Sequence, residues 1–277
     1  MSEQPEILGI IAGNRSLPFL VAREARAQGV GRLVAVAFEG ETDPALADCV
    51  DDLEWVKVGQ VNRAIKALTS RGVRHCVMAG QIAPKNLFNL RPDLRALTLL
   101  LQLRHKNAHT IFGALAGELA KDGVELISAV PWLRPHMPEL GFHLGPKLSR
   151  EQQADVEFGH RIAKEVSRLE VGQTVVVKHG TVLAVEGFEG TDACLARGGQ
   201  LAGSKGGAVA VKVAKEGHDM RFDIPCFGEV TLETCANAGI AVLAVEAGRA
   251  ILLERDRAAA VARQRKVAVT TVAVEPR

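Results

Sequence analysis

Hydrophobic positions follow two periods along the chain. Leu8 to Ala12 is a continuous apolar run that reaches Gly13, and Leu17, Leu20, Val21, Glu24 and Ala25 then recur at helical spacing before Gly29. This pattern predicts strand, tight turn, helix and a glycine stop. Leu33 to Phe38 predicts a second strand, Val61 to Ser70 a helix, and Arg74 to Ala79 a third strand ending at Gly80. Asp93 to Arg104 and Ile111 to Lys121 read as helices and Val124 to Ala129 as a strand. Strands alternating with helices imply a parallel sheet with helices on both faces. Between Val130 and Pro146, Pro131, Pro135, Pro138, Gly141, Gly145 and Pro146 interrupt regular structure and mark a linker. Beyond it, Glu151 to Leu169 is helical, and Thr174 to Lys178 with Val182 to Glu186 flank a His179-Gly180 turn as a hairpin. Ala208 to Ala214 and Ile240 to Val245 read as strands, Thr231 to Ala238 and Ala258 to Gln264 as helices. The pentapeptide Val182-Leu183-Ala184-Val185-Glu186 recurs at Val242 to Glu246. Five strand-favouring residues recur by chance too readily to argue a duplicated domain.

The expected architecture is α/β in two domains: residues 1–140 a Rossmann-like open parallel sheet, residues 141–277 a smaller mixed α/β domain. A chain of 277 residues with 47% hydrophobic and 24% charged residues suits two soluble domains. The 34 Lys and Arg nearly balance the 32 Asp and Glu, and the chain has no Tyr, so neither a polyanion-binding charge nor a base-stacking surface is supplied. No apolar run nears a membrane-spanning length, and Met1 to Glu6 lacks a signal-peptide pattern, which places the expected protein in the cytoplasm. Cys49, Cys76, Cys194, Cys226 and Cys235 form no Cys-x-x-Cys pair and read as reduced thiols. Charge is segregated: Glu39 to Glu54 is acidic, and Lys57, Arg63, Lys66, Arg71, Arg74, Lys85, Arg91, Arg95, Arg104 and Lys106 are basic. These are either solvated faces that neutralise each other or a basic rim for an anionic ligand or membrane.

Two groups of residues carry candidate chemistry. Gly9-x-x-x-Gly13 and the Ala12-Gly13-Asn14 turn lie between a strand and a helix, where backbone N–H groups and the helix dipole hold phosphate; the alternative is a plain turn. Gly80-Gln81 closes a second strand, and open parallel sheets bind ligands at such ends. Gly198 to Lys205 misses the P-loop order and reads as a flexible loop. In the second half, Glu189-Gly190-Thr191-Asp192 sets two carboxylates and a hydroxyl on one turn, either a hard-oxygen set for Mg²⁺ or Mn²⁺ or a helix-capping turn. Lys212 to Pro225 packs two Lys, His218, Asp219, Arg221 and Asp223 into a strand-turn-strand segment, a mixture suited to phosphoryl chemistry or to surface salt bridges.

Gly13 with Leu17-Pro18, Met78-Ala79-Gly80, Gly172-Gln173-x-Val175-Val176-Val177, Glu186-x-x-Glu189-Gly190-Thr191-Asp192 and Lys212-x-x-Lys215 through Asp219-x-Arg221-Phe222-Asp223-x-Pro225 resemble the LpxI-type UDP-2,3-diacylglucosamine diphosphatases over nearly the whole chain. The resemblance implies a cleft between two domains that holds a lipid nucleotide. It implies metal-dependent hydrolysis of UDP-2,3-diacylglucosamine to UMP and 2,3-diacylglucosamine 1-phosphate in lipid A synthesis, with attack at the phosphorus bearing the sugar. Asp223 matches the family's essential aspartate. The assignment that follows makes Asp223 catalytic; Glu189, Asp192 and Asp223 the Mg²⁺ or Mn²⁺ ligands; and Ala12, Gly13, Asn14, Gly80, Gln81, Gln173, Gly190, Thr191 and Lys212 the substrate-binding residues. Lys106 to Thr110 departs from the family's acidic Gly-Asp-Asp turn, and His218 stands where Gln is common. The implied partners are the lipid-linked UDP-sugar, the inner membrane as a peripheral surface, and a second copy of the chain, with no nucleic acid. Leu87 to Leu103 holds more leucines than one core stripe needs, and is either a lipid groove or a buried helix. A carrier that binds the lipid nucleotide without turnover, another sugar-nucleotide pyrophosphatase and an oxidoreductase are the rival readings.

Overall fold

The computed structural model describes residues 4–82, 92–103, 108–215, 219–222 and 224–274, with only the backbone of 108 and 109. Lys85, Arg91, Arg104, Lys106, His218, Asp223 and the start of the leucine segment at Leu87 lie outside the described residues. The chain forms two compact units, Met1–Leu133 with Asp219–Asp223, and Arg134–His218 with Ile224–Arg277.

In the first unit the strands are β1 (Ile7–Ala12), β2 (Arg32–Phe38), β3 (Asp52–Val56), β4 (His75–Ala79) and β5 (Glu125–Leu126). Among the described residues they form one parallel sheet in the order β3-β2-β1-β4-β5. The helices are α1 (Leu17–Ala27), α2 (Val61–Thr69), α3 (Leu94–Gln102), α4 (Ala108–Lys121) and the single turn α5 (Val130–Leu133). Alternation along the strands sorts the core. Ile11, Val34 and Val36 pack with Ile65 and Leu68 of α2 and Leu119 of α4, each fully buried side chain contributing about 1.5–3 kcal/mol. Leu33, Ala35 and Ala37 turn to the opposite face, where α1 lies against β1, β2 and β4. The sequence pattern did not mark β3, because Asp52 and Glu54 interrupt its apolar run. On this edge strand they meet Arg32, Arg63 and Arg71. With Lys57 beside Glu39, the acidic and basic segments largely neutralise each other.

The second unit contains β6 (His143–Leu144), α6 (Arg150–Arg168), β7 (Thr174–Lys178), β8 (Thr181–Val185), α7 (Thr191–Leu201) and β9 (Ala208–Lys212). It continues through β10 (Cys226–Phe227), α8 (Glu229–Asn237), β11 (Ile240–Glu246), β12 (Ile251–Leu252), α9 (Arg255–Gln264) and β13 (Ala268–Val272). The main sheet runs β6-β13-β11-β9-β7-β8; β9, β11 and β13 are parallel, and β7 is antiparallel to β8 and β9. Val175, Val177, Val209, Val211, Val242 and Ala244 face Val156 and Ala163 of α6. Val176, Ala210, Leu243 and Val245 face α7, α8 and α9. Helix α6 is held at its start by a capping box between Ser149 and Gln152.

Three expectations change. Gly198 and Gly199 lie not in a flexible loop but inside α7, buried: a Cβ at Gly198 would come within 2.6 Å of Val176 Cβ, and one at Gly199 within 2.0 Å of the Ala238 carbonyl. These glycines let α7 approach the sheet and α8. Among its described residues Lys212 to Pro225 is not strand-turn-strand, since β9 stops at Lys212 and β10 pairs with β12 outside the main sheet. Gly9 is no part of a ligand turn: it lies within β1, where a Cβ would meet Val73 at 2.8 Å and Cys76 at 2.9 Å.

Candidate functional site

In the first unit, the turns after β1 and β4 meet. The Gly13 amide donates to the Ala79 carbonyl at 2.7 Å and the Asn14 amide to the Gln81 carbonyl at 2.8 Å, and Asn14 and Gln81 form a β-bridge. The approach requires glycine on both sides: a Cβ on Gly13 would lie 2.4 Å from the Gln81 oxygen, and one on Gly80, at φ +87°, 2.5 Å from the Asn14 oxygen. Ala12, Gly13, Asn14, Gly80 and Gln81 are thus brought together at the carboxyl ends of adjacent strands. In the order β3-β2-β1-β4-β5 this is where the strand sequence reverses, the position at which an open parallel sheet opens a crevice for ligand. Ser16 caps α1 without a side-chain hydrogen bond, so amides of the first turn keep capacity for an anion, although Pro18 supplies no N–H. Asn14 Nδ2 also donates to Glu41 Oε2 at 2.7 Å. Thr42 positions that glutamate, donating to the Ala12 carbonyl at 2.5 Å and accepting from the Phe38 amide at 2.9 Å.

In the second unit, one end of the sheet collects the carboxyl ends of β8, β9 and β11 and the start of β7. Lys212 Nζ donates to Thr191 Oγ1 at 3.1 Å, and Thr191 Oγ1 donates to Glu186 Oε1 at 2.9 Å. Thr191 opens α7 behind Gly190, whose φ of 84° suits glycine. The Gln173 backbone joins this group: its carbonyl accepts from the Val213 amide at 2.9 Å, and its amide donates to Glu186 Oε2 at 3.4 Å. Gln173, Gly190, Thr191 and Lys212 therefore share one sheet end, and α7 begins there with its positive dipole end.

Glu189 turns elsewhere. Arg197 Nη2 donates to its Oε1 at 2.5 Å and the Gly187 amide to its Oε2 at 3.0 Å. The Arg197 contact, aided by backbone N–H groups, holds its carboxyl below the usual range. Asp192 lies in the first turn of α7. Among the described residues no three His, Cys, Asp or Glu side chains gather as a cation site, and both Glu189 oxygens are engaged by Arg197 and the Gly187 amide. Asp223 lies outside the described residues.

A buried charge cluster was missed from the sequence. Glu246, at the end of β11, is 1% exposed; its Oε2 accepts from the Ala214 amide at 2.7 Å, and its Oε1 lies 2.9 Å from Lys164 Nζ and 3.4 Å from His160 Nε2. Burial alone would raise its carboxyl, but hydrogen bonds from His160, Lys164 and the Ala214 amide outweigh that and bring it below the usual range. The signal was the repeated pentapeptide. Both copies end in a glutamate at the same end of the sheet, and each glutamate binds a backbone amide of a neighbouring segment: Glu186 that of Gln173, Glu246 that of Ala214.

Comparison with known proteins places both units. Residues 7–135 match the LpxI N-terminal domain and residues 139–270 the LpxI C-terminal domain. A UDP-2,3-diacylglucosamine pyrophosphatase LpxI from Caulobacter vibrioides is 33% identical over 269 residues, spanning 92% of this chain and 93% of that protein. An N5-carboxyaminoimidazole ribonucleotide synthetase from Thermotoga maritima overlaps 66% of this chain and 41% of its own at 13% identity and a TM-score of 0.24, too slight a likeness to inform fold or function.

Proposed function

This chain belongs to the LpxI family, and from that premise we propose that it hydrolyses the diphosphate of UDP-2,3-diacylglucosamine, giving UMP and 2,3-diacylglucosamine 1-phosphate in lipid A synthesis. Water adds across the phosphoanhydride, its oxygen bonding to one phosphorus while the bridging oxygen leaves with the other. The structural observation that supports the reading is the Lys212–Thr191–Glu186 chain at the start of α7. It sets a fixed ammonium and a helix N-terminus at one place, which suits the charge of a diphosphate. In the second unit Lys212 offsets phosphate charge, and Thr191, itself hydrogen-bonded to Glu186, holds its Nζ; in the first unit the crevice at Gly13 and Gly80 suits a nucleotide. Asp223 orients the attacking water.

Metal dependence, on Mg²⁺ or Mn²⁺, is part of the proposal through the match of Asp223 to the family's aspartate, not through Glu189. Peripheral contact with the inner membrane from the cytoplasmic side, and pairing with a second copy, are proposed as well; among the described residues no helix is long and apolar enough to cross a membrane. The deciding experiment incubates purified protein with the UDP-linked lipid and Mg²⁺. UMP release that stops with chelator and returns with metal supports the reading, whereas retention of intact lipid makes the protein a carrier. Asp223→Ala should lower turnover by about 10² or more. In ¹⁸O water, label in the 2,3-diacylglucosamine 1-phosphate marks attack at the phosphorus bearing the sugar.

A further inference from the structure

We propose that Asn14 and Glu41 form the seat of the nucleotide's ribose, each accepting a hydrogen bond from one of its two adjacent hydroxyls. The identity of the nucleotide rests on the pyrophosphatase reading above; the placement rests on the donors and acceptors of the site. Asn14 Nδ2 donates to Glu41 Oε2 at 2.7 Å, which settles the amide's orientation, since the reverse would oppose two acceptors. Asn14 Oδ1 consequently points away from the carboxylate, and it is buried without a hydrogen-bond partner among the described residues. A buried acceptor left unpaired is costly, so the arrangement calls for a donor from outside. The carboxylate oxygens of Glu41 beside it are acceptors too. Two neighbouring acceptors, bridged by one amide N–H, match two neighbouring hydroxyl donors.

The scaffold fixes both groups. Asn14 is bridged to Gln81 at the end of β4, and Thr42 ties the segment that follows β2 to the Ala12 carbonyl. Both therefore stand at the strand-order reversal, where an acidic residue past the second strand is the usual acceptor for ribose hydroxyls in nucleotide-binding sheets. The substrate's chemistry then selects the moiety. A glucosamine acylated at positions 2 and 3 and linked at its anomeric carbon keeps hydroxyls at carbons 4 and 6, which are not neighbours. Ribose, with its 2′ and 3′ hydroxyls, is the substrate's one vicinal diol.

The test is calorimetric titration of the full chain with UMP, 2′-deoxy-UMP, 3′-deoxy-UMP and 2,3-diacylglucosamine 1-phosphate, for the parent, Glu41→Ala and Glu41→Gln. A hydrogen bond to a charged acceptor predicts that the parent prefers UMP over 2′-deoxy-UMP or its 3′-deoxy counterpart by about tenfold. Glu41→Ala should bring one of these two preferences close to one while the other, set by Asn14, persists, with Glu41→Gln retaining part of the lost preference and an unchanged melting temperature confirming the fold. Both preferences unchanged in Glu41→Ala, or neither present in the parent, overturns the proposal. So does loss of 2,3-diacylglucosamine 1-phosphate binding with UMP unaffected, which would seat the sugar here. UMP release from the UDP-linked lipid is measured in parallel, so an active parent with any of these results keeps the pyrophosphatase reading and removes only the ribose seat.

Discussion

Glu246, at one end of the second sheet, behaves differently from Glu189, the glutamate the sequence singled out as a metal ligand. Glu246 is enclosed with Lys164 and His160, and its charge is held by three donors; Glu189 is open to solvent and paired with Arg197. Removing one partner of a buried charged group costs about 3–5 kcal/mol, and since Lys164 keeps some contact with water, Glu246→Ala should fall at or below the low end of that range in chemical denaturation. The sign of the pH dependence follows from the direction of the shift. A carboxyl whose folded pKa lies below its ordinary value of 4.5 contributes stability that is complete above 4.5 and is lost as pH falls through the folded pKa, because the unfolded chain takes up the proton first. Stability measured from neutral pH into that acid window should drop less steeply in Glu246→Gln than in the parent; equal slopes would mean that the carboxylate is not specially stabilised. For Glu189, whose two oxygens are already engaged, Glu189→Gln should keep the rate of UMP release within about threefold. A loss nearer 10², the scale of a central electrostatic group, would return it to the metal set.

At the scale of elements, a segment was legible where its pattern came from burial on one face and obscure where it came from close approach. β1, β2, β7, β9 and β11 are apolar runs because both faces of their sheets are covered, and α6 shows its buried stripe directly. Helix α7 was hidden because its inward face is partly glycine: Gly198 and Gly199 pack by having no side chain, so they leave no periodic signal. Those two positions make a test with opposite signs. In an exposed helix, Gly→Ala stabilises by about 0.5–1 kcal/mol, but here the new methyl would meet Val176 Cβ at 2.6 Å or the Ala238 carbonyl at 2.0 Å. Each Gly→Ala change should therefore destabilise, by about 1–3 kcal/mol as overpacking does; a raised melting temperature would show that α7 is not held against β7 and α8. The candidate sites divide in the same way. Glycine-bearing strand ends announce the Gly13 and Gly80 turns. Glu41 lies 27 residues from Asn14, and Glu246 lies 32 and 86 residues from Ala214 and His160, separations that no local pattern spans.

For the whole molecule, a protein without a membrane-spanning helix among its described residues must still meet the two acyl chains of the proposed substrate. Of the Leu87 to Leu103 segment, the structure describes α3 and its flanks, and that helix carries two apolar stripes. Ala96 and Leu99 are buried, while Leu94, Leu97 and Leu101, spaced to share the other side, are 80%, 45% and 75% exposed. Leu99 accounts for packing; the outer three do nothing for the core. The basic flank is weaker than its sequence suggests, since Arg95 is bound to Glu118 and Asp122. Apolar area, at about 25 cal/mol per Å², is then the larger contribution from α3. Leu94→Asp with Leu101→Asp should therefore reduce association with anionic phospholipid vesicles and turnover of the long-chain substrate. Turnover of a short-chain analogue and the melting temperature should stay near the parent's, as exposed substitutions usually change stability by no more than about 0.5 kcal/mol. Leu99→Ala serves as the contrast: it removes a buried side chain and should cost about 2–5 kcal/mol while affecting both substrates alike. If the outer pair instead lowers the melting temperature and both activities together, the stripe is covered within the protein, and lipid is met elsewhere.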